Sequence, residues 1–256
     1  MRSYGQYCPI ALAAEVFAER WTPIVLRNLM VGCERFGEVL DGAPGMSRSV
    51  LVHRLRDLQR AGVVEVTGSG QGRRYRLTAA GRELCDVVLA LGAWGARWRE
   101  AAPQQQDPYL MLWGLSRLID PATLPRPRVV VRFQVTDHRT PDRFWLVART
   151  GGNEVCVTEP GFVEDGVVVT GTAALYRWHS GRLALGHAER SGAMQVSGPR
   201  WLHRTLAAWG RLSPFADVSK PDQPGRCSGP NASGRTSLIG SGPRGESTRQ
   251  SGPPNS

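Results

Sequence analysis

The segment that follows Ser47 constrains the fold of this chain more than any other. Leu51, Leu55 and Leu58 recur at the spacing of one helix face, which predicts an amphipathic helix whose leucine side packs inward. Ser47 can accept a hydrogen bond from the first turn of that helix, and Gly62 can end it by adopting the left-handed conformation. We therefore expect a capped helix here, with one buried and one exposed face.

The exposed faces of this predicted helix carry groups that can form hydrogen bonds with base edges in duplex DNA. An arginine offers two donors that match the two acceptors of guanine. A solvated helix face without a ligand is the alternative explanation. The candidate DNA-contacting residues are Ser47, Arg48, Ser49, Val52, His53 and Arg56.

Shorter helices are predicted before this segment. Apolar spacing indicates one helix over 9–18 and a second that begins at Thr22, with Thr22 as its cap and Pro23 in its first turn, and ends near Gly32. A short third helix is expected over 36–40. A short helix, a tight turn and a longer capped helix form the helix-turn-helix pattern, in which the second helix enters the major groove.

A hairpin is predicted directly after the capped helix. Residues 63–67 and 73–77 have strand-like patterns, and the loop 68–72 between them is rich in glycine, so the backbone there can approach a duplex closely. Such a hairpin is the wing of a winged helix, and its arginines are candidates for contacts with phosphates. These candidates are Arg73, Arg74 and Arg76, although Arg76 could instead point inward.

The positive charge of the N-terminal region is concentrated on these elements. Residues 47–76 contain seven arginines and two acids, a net charge of +5, whereas the rest of residues 1–100 has a net charge of −1. The whole chain carries +10, which is compatible with a polyanionic partner. Arginine-rich coding from a GC-rich genome is the alternative cause.

Thr78 is predicted to cap a further, long helix. Its apolar residues recur at alternating steps of three and four, as on a helix that packs along a partner helix. This spacing predicts a dimer interface, with packing inside the same domain as the alternative. We call this set the apolar stripe; it consists of Leu84, Val87, Leu91, Trp94 and Trp98.

From Cys8 to Leu84 the chain resembles the HxlR family of winged-helix regulators. The motifs that carry the resemblance are Cys8-Pro9-Ile10, Arg20-Trp21-Thr22, Leu26-Arg27-Asn28-Leu29, Arg35-Phe36-Gly37-Glu38-Val39, Met46-Ser47-Arg48-Ser49-Val50-Leu51, Arg54-Leu55-Arg56-Asp57-Leu58, Ala61-Gly62-Val63-Val64 and Tyr75-Arg76-Leu77-Thr78-Ala79-Ala80-Gly81-Arg82-Glu83-Leu84. The resemblance implies a bacterial homodimer that binds an inverted repeat in promoters. It also implies that Cys8 could sense electrophiles or oxidants, with an incidental thiol as the alternative.

The organisation predicted for the whole chain is an α+β fold. Residues 1–100 form the DNA-binding and dimerisation domain, 101–108 a linker, and 109–216 a smaller α/β domain of strands covered by helices. Residues 217–256 consist largely of Gly, Ser, Pro, Arg and Asn, so they cannot bury enough apolar surface and are expected to be disordered.

Residues 109–216 resemble a sterol-carrier-protein-type domain, which implies an apolar tunnel for lipids or acyl groups. His179 could contact such a ligand or could be a structural histidine with its hydrogen bonds satisfied. The start of the strand after Val163-Glu164-Asp165-Gly166 departs from that family's pattern. The matching segments are Asp120-Pro121, 129–133, 144–147, 155–158, 166–172, 178–183, 193–200 and 202–209.

Other classes of function find no support in the sequence. The five cysteines and five histidines lack the spacing of a zinc site or a disulfide framework, and no catalytic motif or phosphate-binding loop occurs. We therefore predict no enzyme, no metal and no cofactor. Without an apolar run of about 18 residues or a signal-peptide pattern, a cytoplasmic protein outside the membrane is expected.

Three hypotheses follow for the function. In the first, a homodimer binds an operator and a small apolar ligand in the C-terminal domain changes the spacing of the recognition helices. In the second, the chain binds lipids or acyl groups and its N-terminal region serves oligomerisation. In the third, Cys8 makes the chain a thiol-based redox or electrophile sensor.

Overall fold

The structure is a computed structural model that describes residues 3–219, except the side chain of Gln71. All of these residues belong to one compact unit. The tail predicted for 217–256 lies outside the described residues from position 220 onward.

The N-terminal part of the described chain is built from helices and one hairpin, in the order predicted from the sequence. Its two strands pair antiparallel, and a 3-10 turn at Gly70–Gly72 lies between them. The elements are α1 (Pro9–Phe17), α2 (Thr22–Met30), α3 (Phe36–Asp41), α4 (Arg48–Arg60), β1 (Val64–Thr67), β2 (Arg74–Leu77) and α5 (Ala79–Trp98).

The leucine face of α4 holds this part together. Leu51, Leu55 and Leu58 are at most 1% exposed and pack into a core formed with α2, α3 and the hairpin. The Ser47 hydroxyl oxygen accepts a hydrogen bond from the Val50 backbone N–H at 3.3 Å, and the Thr78 hydroxyl oxygen accepts one from Gly81 at 3.1 Å. The caps predicted at Ser47 and Thr78 are therefore confirmed.

The cap predicted for α2 was placed one residue too late. Trp21 occupies the cap position with a φ of 77°, and Thr22 is the first helical residue and only 2% exposed. The backbone N–H of Thr22 donates to the Glu19 carbonyl, which closes the turn after α1. The left-handed conformation of Trp21 costs about 1 kcal/mol, and the sequence pattern contains no signal for it.

The C-terminal part is a five-stranded sheet in the order β5-β4-β3-β6-β7, in which β3 and β6 are parallel and the other pairs antiparallel. This confirms a mixed fold with strands and helices. The elements are α6 (Pro108–Leu118), β3 (Arg128–Val135), β4 (Arg143–Arg149), β5 (Glu154–Cys156), β6 (Gly166–Thr170), α7 (Thr172–His179), α8 (Leu185–Arg190), β7 (Met194–Ser197) and α9 (Arg200–Trp209).

The two faces of this sheet differ. Phe133, Phe144 and Leu146 point to the face that α6 to α9 cover, and together with Trp178 they belong to a densely buried core. The opposite face carries a smaller cluster around Trp145. Large side chains therefore fill the space between the sheet and its helices.

The acidic segment before β6 links two strands on the sheet face opposite the helices. Glu164 accepts hydrogen bonds from Arg132 Nε at 2.9 Å and from Trp145 Nε1 at 2.8 Å. Asp165 accepts one from the Val130 backbone N–H at 2.9 Å. The strand itself begins at Gly166, which resolves the uncertainty of the sequence pattern at this point.

The N-terminal and C-terminal parts are in direct contact. Trp113 of α6 is 6% exposed and belongs to the N-terminal core, where its ring lies so close to Gly42 that a Cβ atom at that glycine would overlap the ring. The Phe215 ring lies against Gly92 of α5 in the same way, and a Cβ atom at Gly92 would overlap it. These two glycines allow the close approach of the two parts.

Candidate nucleic-acid interface

The outer side of α4 carries the residues that the sequence predicted for DNA contact. Ser47, Arg48, Ser49, Val52, His53 and Arg56 are all exposed. Their spacing places them on one side of the helix, opposite the buried leucines. We call this surface the outer face of α4.

The arginines on this face differ in how they are held. The Arg48 guanidinium lies 5.3 Å from the centre of the Phe36 ring, a cation–π contact that orients it beside α3. His53 Nε2 lies 3.5 Å from the Asp57 carboxylate. Arg56 forms no ion pair or ring contact among residues 3–219, so its guanidinium is available to a ligand.

Asp57 is a buried carboxylate that engages two further arginines of α4. It is 4% exposed and lies 3.4 Å from Arg54 and 3.0 Å from Arg60, and Arg54 also pairs with Glu19 at 3.2 Å. These two arginines are therefore neutralised within the fold. This cluster was not among the features predicted from the sequence, although the three-residue steps from Arg54 to Asp57 and from Asp57 to Arg60 are the spacing of helical ion pairs.

Glu34, which precedes α3, forms ion pairs with two of the three hairpin arginines and leaves the third unpaired. Arg76 Nε lies 2.7 Å from the Glu34 carboxylate and Arg74 Nη1 lies 3.1 Å from it, on the side of the hairpin opposite the buried Tyr75. The hydrogen bond from Arg76 is the largest cause that lowers the pKa of Glu34. Arg73 is exposed and pairs with no carboxylate in the described part of the chain.

The net charge counted from the sequence therefore gives an incomplete picture of the surface. Within residues 47–76, four arginines are paired with Asp57 or Glu34. Among the described residues of that segment, Arg48, Arg56 and Arg73 have no carboxylate partner. They lie on the outer face of α4 and on the hairpin, the two elements that the sequence predicted for DNA contact.

The apolar stripe of α5 faces outward for most of its length. Val87 and Leu91 are each 47% exposed, Trp94 is 56% exposed and Trp98 57%. Leu84 is half-buried and packs against the N-terminal core. Four of the five residues predicted for the dimer interface are thus large apolar side chains in contact with solvent.

The described cysteines differ in accessibility. Burial raises the pKa of the Cys33 thiol to about 11 and also raises the pKa of Cys85 and Cys156. Cys8 is half-buried at the N-terminal end of α1. Cys227 lies outside the described residues.

No group of three or more potential metal-ligating side chains occurs within residues 3–219. No helix in the described part of the chain is long and apolar enough to cross a membrane.

The HxlR-like helix-turn-helix family model matches residues 16–103. An HTH-type transcriptional regulator of Synechocystis is 37% identical over 99 residues, which cover 38% of this chain and 73% of that relative. One from Mycobacterium tuberculosis is 34% identical over 106 residues, 40% of this chain and 65% of the relative. The Bacillus subtilis regulator YodB is 29% identical over 97 residues, 36% of this chain and 87% of YodB.

Among solved structures, the redox regulator HypR in its oxidized form is 29% identical and covers 37% of this chain, with a TM-score of 0.35. The family match ends at residue 103, so it concerns α1 to α5 and not the five-stranded sheet.

Removing the Glu34 carboxylate should strengthen the attraction of this surface for DNA. In Glu34→Gln, the guanidinium groups of Arg74 and Arg76 lose their partner and can contact phosphates. We expect tighter binding to duplexes of any sequence, and a salt dependence steeper by about one to two units in the log–log slope. Fluorescence anisotropy of a labelled duplex at several salt concentrations measures both quantities.

Glu83→Gln is the matched control, because Glu83 is exposed on α5. This substitution removes the same charge without releasing an arginine from an ion pair. If the Glu34 and Glu83 variants bind DNA equally well, the paired arginines do not lie near the duplex.

Proposed function

The chain belongs to the HxlR-like helix-turn-helix family, and from this premise we propose that it is a transcriptional regulator that binds duplex DNA through α4 and the β1–β2 hairpin. Its relatives are named as transcriptional regulators, which favours this function over an enzymatic one. The observation that carries the proposal is the outer face of α4, where Arg48 and Arg56 are exposed on a helix anchored by three buried leucines.

Each unpaired arginine has a distinct role in this proposal. Arg48 lies in the first turn of α4 and Arg56 two turns further along the same face, so both can contact base edges in the major groove. Arg73 directly precedes the second strand of the hairpin and is assigned to phosphates, which position the protein without reading the sequence. Ser47 and Ser49 add hydroxyl groups at the start of the helix.

Replacing the unpaired arginines should separate specific from non-specific binding. Arg48→Ala and Arg56→Ala should each lower the preference for the chain's own promoter over unrelated DNA, by about 1–3 kcal/mol per lost bidentate contact. Arg73→Ala should weaken binding to all sequences alike and reduce the salt slope by about one unit. Anisotropy titrations with a promoter fragment and a scrambled duplex measure the two effects.

Arg204→Ala is the control for these variants, because Arg204 is exposed on α9 of the C-terminal part and lacks any partner among the described residues. Affinities unchanged in all three test variants would show that the outer face of α4 does not contact DNA.

The apolar stripe of α5 is proposed as the interface of a homodimer. Large apolar side chains exposed along one helix face are unusual for a monomer in water and mark interaction sites. Two copies that pair through this helix are related by a twofold axis, so their recognition helices can address the two halves of an inverted repeat. Adjacent half-sites lie about 34 Å apart, and the pairing of α5 would set this separation.

A charge within the stripe should dissociate the proposed dimer. Trp94→Glu places a carboxylate among apolar side chains, so the protein should sediment as a monomer in analytical ultracentrifugation. Its affinity for an inverted repeat should fall by about a hundredfold, because the two half-sites are no longer bound by one linked molecule. Val163→Glu is the control on a side chain that is 90% exposed in the C-terminal part. A dimeric Trp94 variant would contradict the proposed interface.

The C-terminal part is proposed as the module that senses an effector. Its helix α6 and its last segment contact the DNA-binding part through Trp113 and Phe215, so a change in one part can reach the other. Lipid or acyl transport as the principal activity has less support, because large side chains fill the space beneath the sheet.

Thiol sensing through Cys8 is a second candidate. Burial raises the pKa of the Cys33, Cys85 and Cys156 thiols, which lowers their content of reactive thiolate, and Cys8 lies half-buried at a helix N-terminus. If Cys8 is a sensor, Cys8→Ser should abolish the effect of benzoquinone on promoter binding, whereas Cys156→Ser should retain it. A Cys8 variant that still responds would exclude this role.

A further inference from the structure

A cleft lies at the junction between the DNA-binding part and the C-terminal part. It has a volume of about 530 Å³, within the range of small-molecule sites. Its walls are formed by one side of α2, one side of α5, helix α6 and the segment around Phe215. Most of the lining is apolar, with Ile24, Val88 and Leu110 as typical members.

The cleft contains positive charge without a compensating acid. Arg27 and Arg117 both line it beside Trp113, with their guanidinium carbons 6.0 Å and 5.4 Å from the centre of its ring. No aspartate or glutamate occurs among the described residues of the lining, and neither arginine forms an ion pair within residues 3–219. A bound anion would therefore meet two guanidinium groups that have no carboxylate partner in the described part of the chain.

The two arginines differ in how many of their donors are in use. Arg27 donates to the Asn28 side chain at 3.0 Å and 2.8 Å and also to the Gly42 carbonyl. Arg117 Nε is buried and has no acceptor among the described residues. A buried donor without a partner is costly to the fold, so Arg117 is the group that gains most from a bound acceptor.

His179 adds a second unsatisfied group to the lining of this cleft. It is the last residue of α7 and lines the cleft, and its Nδ1 atom is buried without a hydrogen-bond partner among residues 3–219. Burial lowers the pKa of His179 to about 4, so the ring is neutral at pH 7 and can donate a hydrogen bond from one nitrogen. Of the two roles that the sequence left open for His179, this geometry favours ligand contact.

We propose that the junction cleft binds a small apolar monocarboxylate, with the carboxylate at Arg117 and His179 and the hydrocarbon part against the apolar walls. A carboxylate supplies acceptors to both unsatisfied groups and balances the charge of the arginines. A single anionic group also fits a cleft whose remaining surface is mostly apolar. The inference rests on the proposed function, since it names the effector class of that regulator.

The position of the cleft connects it to both proposed interfaces. One wall is α2, which packs in the same core as the leucines of α4, and the opposite wall is α5, which carries the apolar stripe. Leu91 belongs to both the stripe and the cleft lining. A molecule between α2 and α5 would favour a particular distance between them, and thereby a particular spacing of the recognition helices in the dimer.

Calorimetric titration of the full chain without DNA tests the site directly. The probes are sodium octanoate and octanamide, which share a hydrocarbon chain but differ in charge. Octanoate should bind once per chain and at least about tenfold more tightly than the amide, because a buried charge-assisted hydrogen bond contributes about 1.5–3 kcal/mol. Arg117→Gln should remove this difference, and Arg204→Gln, which removes an exposed arginine elsewhere, should retain it.

A second variant shows whether binding occurs in this cleft. A Cβ atom at Gly114 would lie 3.8 Å from the His179 ring, so that helix position has room for a side chain directed at the site. Gly114→Leu should fill the space and abolish octanoate binding, while the better helix propensity of leucine preserves folding. The thermal midpoint of unfolding of each variant checks that it is folded.

The inference is overturned if octanoate does not bind, if the amide binds equally well, or if the Arg117 or Gly114 variant binds octanoate like the wild type. Promoter binding in the absence of octanoate is measured in parallel. Promoter binding without octanoate binding would refute only the ligand site, whereas octanoate binding without promoter binding would refute the proposed regulator.

Discussion

The burial of the leucine face of α4 is the interaction on which the rest of the N-terminal part depends. Leu51, Leu55 and Leu58 are almost completely removed from water, and each contributes about 1.5–3 kcal/mol of hydrophobic stabilisation. Because the three leucines fix the rotation of the helix about its axis, they also determine which residues face solvent. The exposure of Arg48 and Arg56 is thus a consequence of how the opposite side is packed.

Internal ion pairs then determine how the charge of this surface is distributed. Asp57 engages Arg54 and Arg60, and Glu34 engages the guanidinium groups of Arg74 and Arg76. The paired arginines have their guanidinium groups engaged within the fold, and the unpaired ones remain available to a polyanion. Glu34 is exposed enough that its contribution to stability is small, so its main effect is on the electrostatic potential beside the hairpin.

At the junction, the N-terminal and C-terminal parts pack so closely that a structural change in one part can affect the other. Gly42 and Gly92 let aromatic rings from the C-terminal part approach the DNA-binding part so closely that no side chain fits at either glycine. Between these two contacts lies a cleft lined by two arginines without an ion-pair partner among residues 3–219 and by a histidine with an unsatisfied ring nitrogen. A ligand there would act on packed helices, which shift between discrete arrangements rather than deform continuously.

Apolar periodicity and capping residues were sufficient to predict the N-terminal helices, the hairpin and the caps at Ser47 and Thr78. They also predicted that the α4 candidates face outward. Both signals act over a few residues, so they can be recognised in the sequence alone. They misplaced the cap of α2, since the left-handed Trp21 depends on the packing of the α1–α2 turn. Only the tertiary structure decided which arginines pair with Glu34, and that Trp113 and His179 line one cleft. Those relations join residues distant in the chain, and charge and apolarity in a sequence do not specify which distant groups come into contact.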